Sequence, residues 1–71
     1  MSTPILNQGN VMTLPELADI QEILICNHLG ETISKVKYHR GISLELLPEG
    51  FYWVYASDKN EEKTLIGTIL K

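Results

Sequence analysis

Leu47-Pro48-Glu49-Gly50-Phe51-Tyr52-Trp53-Val54-Tyr55 joins a rigid turn to the most strand-like run in the chain. Pro48 fixes its own φ near the value a turn wants at its second position, Gly50 accepts the positive φ that closes such a turn, and Glu49 sits at the tip. The residues that follow are aromatic or β-branched and suit a pleated surface. Side chains alternate across a strand, so Tyr52, Val54 and Ala56 share one face and Phe51, Trp53 and Tyr55 the other. Both faces want cover, which points to a central strand of a layered β fold.

Working outward, the flanking segments repeat this pattern of short strands and turns. Ile42-Ser43-Leu44-Glu45-Leu46 alternates cleanly and predicts a half-buried strand with Ile42, Leu44 and Leu46 inward. Asn27-His28-Leu29-Gly30-Glu31 carries turn chemistry and predicts a hairpin between residues 20–26 and 32–38. Ile33 and Val36 cannot share a strand face without a bulge, so a bulge or an edge position is expected there. Residues 57–63 form a solvated hairpin loop. Residues 64–70 form the closing strand, with Leu65 on one face, Ile66, Thr68 and Leu70 on the other, and Gly67 admitting a neighbouring backbone.

One segment reads two ways. Thr13-Leu14-Pro15-Glu16 has capping-box spacing, Leu17, Ile20, Ile23 and Leu24 fit a helical stripe, and Gly30 would serve as the residue after a helix end. Against this, residues 20–27 hold three isoleucines and a cysteine in an apolar run that suits a buried strand, and periodicity alone does not arbitrate. Residues 1–10 are polar and turn-rich and read as a flexible leader or linker, with a short strand following at 11–14. Five or six short strands at about ten-residue spacing predict an all-β fold, a small antiparallel β-sandwich over residues 11–71. The fallback is an α+β fold with one helix on a four-stranded sheet.

Composition narrows the function. The chain has 71 residues, enough for one domain. A chain of that length buries roughly 60% of its unfolded surface and has no room for an elaborate active site. Net charge is −3 and the six basic residues are scattered, so no basic stripe neutralises phosphates, which argues against a nucleic-acid partner. A single cysteine excludes an internal disulfide. No apolar run approaches the length of a membrane span, and residues 1–12 lack the features of a secretory signal, so any export is expected to be started by something outside this chain.

Cys26 and His28, with His39, offer soft metal ligands, but they read better as a small buried thiol beside turn and loop histidines. The same pair lacks the orienting third residue of a nucleophilic site. Trp53 with Phe51 and Tyr55 offers a stacking platform, set against the usual place of such aromatics in a core. No cofactor is implied.

Three stretches taken in order carry a resemblance. Residues 23–33 end a strand in an Asn-led turn with Gly30; residues 42–54 contain the step Leu47, Pro48, Gly50, Tyr52; and Thr64 opens a final apolar strand that ends in Lys71. This set, over residues 11–71, resembles the C-terminal sorting domain of the type IX (Por) secretion system. The family's opening Pro-Asn-Pro step is matched only loosely, by Thr3-Pro4 and by residues 7–10. The resemblance implies an immunoglobulin-like sandwich and favours the strand reading of residues 20–26. It implies a non-catalytic module that directs an upstream cargo, outside this chain, through the periplasm and across the outer membrane to the cell surface. Its partners would be the outer-membrane translocon and a sortase-like peptidase, and its recognition residues Gly30, Leu47, Pro48, Gly50, Tyr52 and Lys71, to which the stacking reading adds Trp53. The alternative from the residues alone is a small adhesive or ligand-binding sandwich that uses Trp53 or an open sheet edge.

Overall fold

The computed structural model describes residues 3–71 as seven antiparallel strands: β1 (Asn7–Gln8), β2 (Val11–Thr13), β3 (Ile20–Cys26), β4 (Thr32–Lys37), β5 (Gly41–Ser43), β6 (Phe51–Asp58) and β7 (Lys63–Leu70). They form a three-stranded sheet, β1-β2-β5, and a four-stranded sheet, β4-β3-β6-β7. The fold is a small all-β sandwich, and no helix occurs among the described residues.

β6 holds the position that its sequence suggested. It pairs with β3 through Ile25↔Val54 and Ile23↔Ala56, and with β7 through Tyr52↔Ile69 and Val54↔Gly67. Tyr52, Val54 and Ala56 face the core and are buried, whereas Phe51 is exposed and Trp53 and Tyr55 are half-buried on the outer face. Met12, Leu14 and Leu44 close the core from the opposite layer onto Ile23, Ile25, Val54 and Ile69. Each of these large side chains contributes roughly 1.5–3 kcal/mol by leaving water.

The ambiguous segment resolves into a crossover and a strand. Leu14 precedes a proline, which disfavours helical backbone. Its N–H instead donates to Arg40 O at 2.8 Å, and its carbonyl accepts from Arg40 Nε at 3.0 Å. Tyr38 holds the rest of the connection. Its hydroxyl donates to Pro15 O (2.7 Å) and accepts from Leu17 N (3.2 Å). The chain then enters β3 at Ile20, and the capping-box pattern is never used.

Ile33 occupies both positions expected of it. β4 is the outer strand of its sheet, and the ladder shifts register between Ile25↔Ser34 and Cys26↔Thr32, which leaves Ile33 as the extra residue. Three other expectations are corrected. β5 ends at Ser43 because the chain turns at once, Leu47 N donating to Leu44 O at 3.0 Å, so Leu46 points into solvent at 99% exposure while Leu44 is buried. In β7 a register shift opposite Val54/Tyr55 turns the strand over, so Ile69 is the core residue and Leu70 is 58% exposed. The leader expected over residues 1–10 is built into the sandwich from Pro4 onward. Leu6 N donates to Thr68 O and Thr68 N to Pro4 O, both at 2.8 Å, and residues 7–8 form β1; Met1 and Ser2 lie outside the described residues.

Two hairpin loops share one design. Asn27 Oδ1 accepts from Leu29 N and Glu31 N, while Asn27 N donates to Glu31 O and its carbonyl accepts from Gly30 N. Asp58 Oδ1 accepts from Asn60 N and Glu62 N, with the same backbone pair to Glu62 and Glu61. The fourth position is left-handed in both, Gly30 at φ 82° and Glu61 at φ 62°. A side chain there costs roughly 1–2 kcal/mol, against about 0.5–1 kcal/mol for the greater unfolded freedom of glycine. Glu61→Gly is therefore expected to raise Tm by about 4 °C in a thermal melt, and Gly30→Glu to lower it.

Candidate functional site

Five of the seven residues singled out in the sequence meet at one end of the sandwich. Pro48 rigidifies the approach, and the chain reverses at Gly50, whose φ of 154° lies in a region that disfavours a Cβ. Tyr52 leaves this turn inward, is buried, and donates its hydroxyl to Pro48 O at 2.7 Å, closing the turn over its ring. Lys71 follows β7 and lies beside the same turn. Gly50 N donates to Lys71 O and Lys71 N to Gly50 O, both at 2.9 Å, which extends the β6-β7 ladder past Phe51↔Leu70.

The Lys71 side chain then reaches across to the opposite layer. Its Nζ donates to Leu47 O at 2.6 Å, to Glu45 O at 3.4 Å, and also to Leu44 O. An ammonium has three protons and no acceptor, and three carbonyls satisfy it without a carboxylate. Charge-assisted bonds of this kind are stronger than neutral ones. One side chain thereby fixes the 44–47 turn against the end of β7, although the two are more than twenty residues apart.

Asn7 completes this end, and the sequence reading passed it over. Its Nδ2 donates to Leu70 O and its Oδ1 accepts from Leu70 N, both at 3.0 Å, so the side-chain amide acts as a one-residue strand partner for β7. Locally, the Asn, Gly and Asn of residues 7–10 read as linker composition. The signal was present, but its partner lies 63 positions away.

Gly30 and Trp53 belong to a second group on the outer face of the four-stranded sheet. Trp53 stands opposite Cys26 in register, and Tyr55 opposite Leu24. Leu24 and Cys26 are buried on this side, so the two aromatic residues are partly a cover for them. Phe51 packs edge-on against Trp53 with ring centroids 4.9 Å apart and planes at 85°. Beside Trp53 lies a shallow recess of about 350 Å³ that reaches the turn through Asn27, His28 and Gly30, with Tyr55 and Lys63 on its far side.

Cys26, His28 and His39 do not assemble into one centre. Cys26 is a buried thiol 3.8 Å from Thr32 Oγ1. His28 is exposed in the turn, and His39 Nδ1 is engaged by the backbone of Gly41 in its own loop, 2.9 Å from its O and 3.3 Å from its N. Among the described residues no group of three or more His, Cys, Asp or Glu stands close enough to hold a metal ion, and no helix is long and apolar enough to cross a membrane. No protein-family model matches the chain, nor does any curated protein or solved structure.

Proposed function

We propose that this domain is a non-catalytic sorting module, a C-terminal sorting domain of the type IX secretion system with an immunoglobulin-like sandwich. It directs an attached cargo from the periplasm across the outer membrane to the cell surface or the medium, reading out through the translocon and a sortase-like peptidase. The observation that carries this reading is the convergence of Leu47, Pro48, Gly50, Tyr52 and Lys71. These are five of the residues on which the resemblance rests, and they form one hydrogen-bonded end of the fold. A tag read after its cargo has crossed the inner membrane must present a folded surface, and a turn locked to the last strand supplies one. The second reading, a binding module, is favoured by the edge-on pair of exposed Phe51 and half-buried Trp53 beside its recess.

The test is a fusion. Residues 3–71 placed behind a periplasmically targeted reporter are expected to carry that reporter to the surface of a bacterium that has the type IX machinery. Removing residues 66–71 should hold it in the periplasm, because this exposes the edge of β6 and takes Ile69 out of the core. Lys71→Ala should reduce surface display while leaving the β-sheet circular dichroism in place, and Lys59→Ala, in the exposed loop, should change nothing. An intact, folded fusion that stays periplasmic would replace this function with the binding-module reading.

A further inference from the structure

The two lateral sides of the sandwich are treated differently. On the β7 side the chain covers its own edge, with Pro4 and Leu6 hydrogen-bonded to Thr68 before the strand continues into β1 of the other sheet. On the opposite side both sheets end in an unpaired strand, β4 in one and β5 in the other. Between them runs an open cleft of about 600 Å³ whose walls include Ile33 and Val36 on one side and Ile42, Leu46 and Leu47 on the other. Ile33 is 45% exposed and Leu46 almost wholly so.

The β4 edge is ready to pair. Tyr38 N donates to Gln21 O at 2.9 Å. Hydrogen-bonded pairs alternate along an antiparallel ladder, so Val36 and Ser34 also bond inward to β3, while the N–H and C=O groups of Lys35 and Lys37 point away from the sheet. The side chains of Val36 and Ser34 lie on the cleft face, and those of Lys35 and Lys37 on the outer face. Glu22 is 3.7 Å from Lys35 and opposite Lys37 in register, and Glu61 and Lys63 line the same recess as Glu22 and Lys35, which leaves three cations against two carboxylates on this face; Glu45 stands on the far wall of the cleft.

We propose that β4 accepts an extended peptide of a partner protein as a fifth strand, one in which apolar and acidic residues alternate. Backbone bonds to Lys35 and Lys37 set its register. Residues opposite the two lysines share their outer face, where acidic side chains complete the charge, and the intervening apolar side chains enter the cleft against Val36, Ile42 and Leu47. A second copy of this chain is the wrong occupant. Antiparallel pairing of β4 with itself would crowd four lysines on one face, which is how native edges resist self-association. This inference stands independently of the sorting function.

The probe is a capped peptide alternating glutamate and valine, titrated into isotopically labelled protein and followed by amide chemical shifts, with a lysine–valine peptide as its counterpart. The expected result is shifts centred on residues 33–37 and 42–47, protection of the Lys35 and Lys37 amides from exchange, and affinity for the acidic peptide at least ~10-fold above that for the basic one, about 1.4 kcal/mol. Lys35→Glu with Lys37→Glu should invert the preference. Lys35→Pro removes an outward N–H that the fold does not use, so it should leave the thermal melt intact and abolish binding. Equal binding of both peptides, shifts centred on Trp53, no binding at millimolar peptide, or a dimer in sedimentation with β4 at its interface would each overturn the proposal.

Discussion

Val54→Asp is expected to leave no folded domain at room temperature, whereas Trp53→Ala is expected to fold and to lose only part of its stability. The two residues are adjacent, so their difference isolates the face of β6. Val54 is fully buried among Ile25, Ile23 and Ile69, in a cluster that holds no cation and whose buried hydroxyl, that of Tyr52, already donates to Pro48 O. A carboxylate there carries a desolvation penalty of several kcal/mol, and a small domain is only about 5 kcal/mol more stable than its unfolded state. Protonating the carboxyl leaves a polar group without a partner and still costs roughly 1–3 kcal/mol. Trp53 is half-buried on the outer face, so truncation forfeits about half of the 3–5 kcal/mol lost at a fully buried site. Urea midpoints by tryptophan-independent circular dichroism measure both. Equal losses would mean that the outer face is as much a core as the inner one, and would remove the basis of the Trp53 binding reading.

That face assignment was legible because local signals agreed. Turn, alternation and β-branched content in residues 47–56 all specify the same strand, and nothing distant overrides them. Ile33 and Val36 were similarly informative, since their misfit to one strand face carried the bulge and the edge together. The alternation of residues 42–46 was misleading for a tertiary reason. Three carbonyls of the 44–47 stretch are drawn onto one ammonium, that of Lys71, and the strand is bent into a turn that leaves Leu46 outside. In β7 the error came from a one-residue register shift, which no local pattern encodes and which moves every later side chain to the opposite face. At the candidate site, the Pro48–Tyr52 turn was readable, but its anchoring by Lys71 and Asn7 was not. Both contacts join segments whose proximity exists only once the sandwich has closed.

Residues 4–6 carry a further long-range term, and Gly67 exposes it. Gly67 is buried, and its φ is not positive, so its backbone conformation is open to any residue. In an ordinary strand, replacing such a glycine with alanine adds roughly 0.5–1 kcal/mol of stability through the unfolded state. Here the sign reverses. A Cβ at position 67 would overlap Leu6 Cγ and stand 2.9 Å from its Cδ2. The glycine therefore admits a side chain, where a neighbouring backbone had been expected. Gly67→Ala is expected to destabilise the domain by about 1–3 kcal/mol, the usual cost of overpacking, and Gly67→Val by more. Leu6→Ala alone costs about 2 kcal/mol, the low end for a buried leucine, because Leu6 is only half-buried. The two changes compensate in the double variant, since the new methyl occupies space that the leucine has left. Denaturant unfolding of the four proteins should yield a coupling of about 1–2 kcal/mol, with the double variant more stable than the sum of the singles. Strict additivity would mean that Leu6 does not rest on Gly67, and that the strap along β7 is held by its backbone bonds to Thr68 alone.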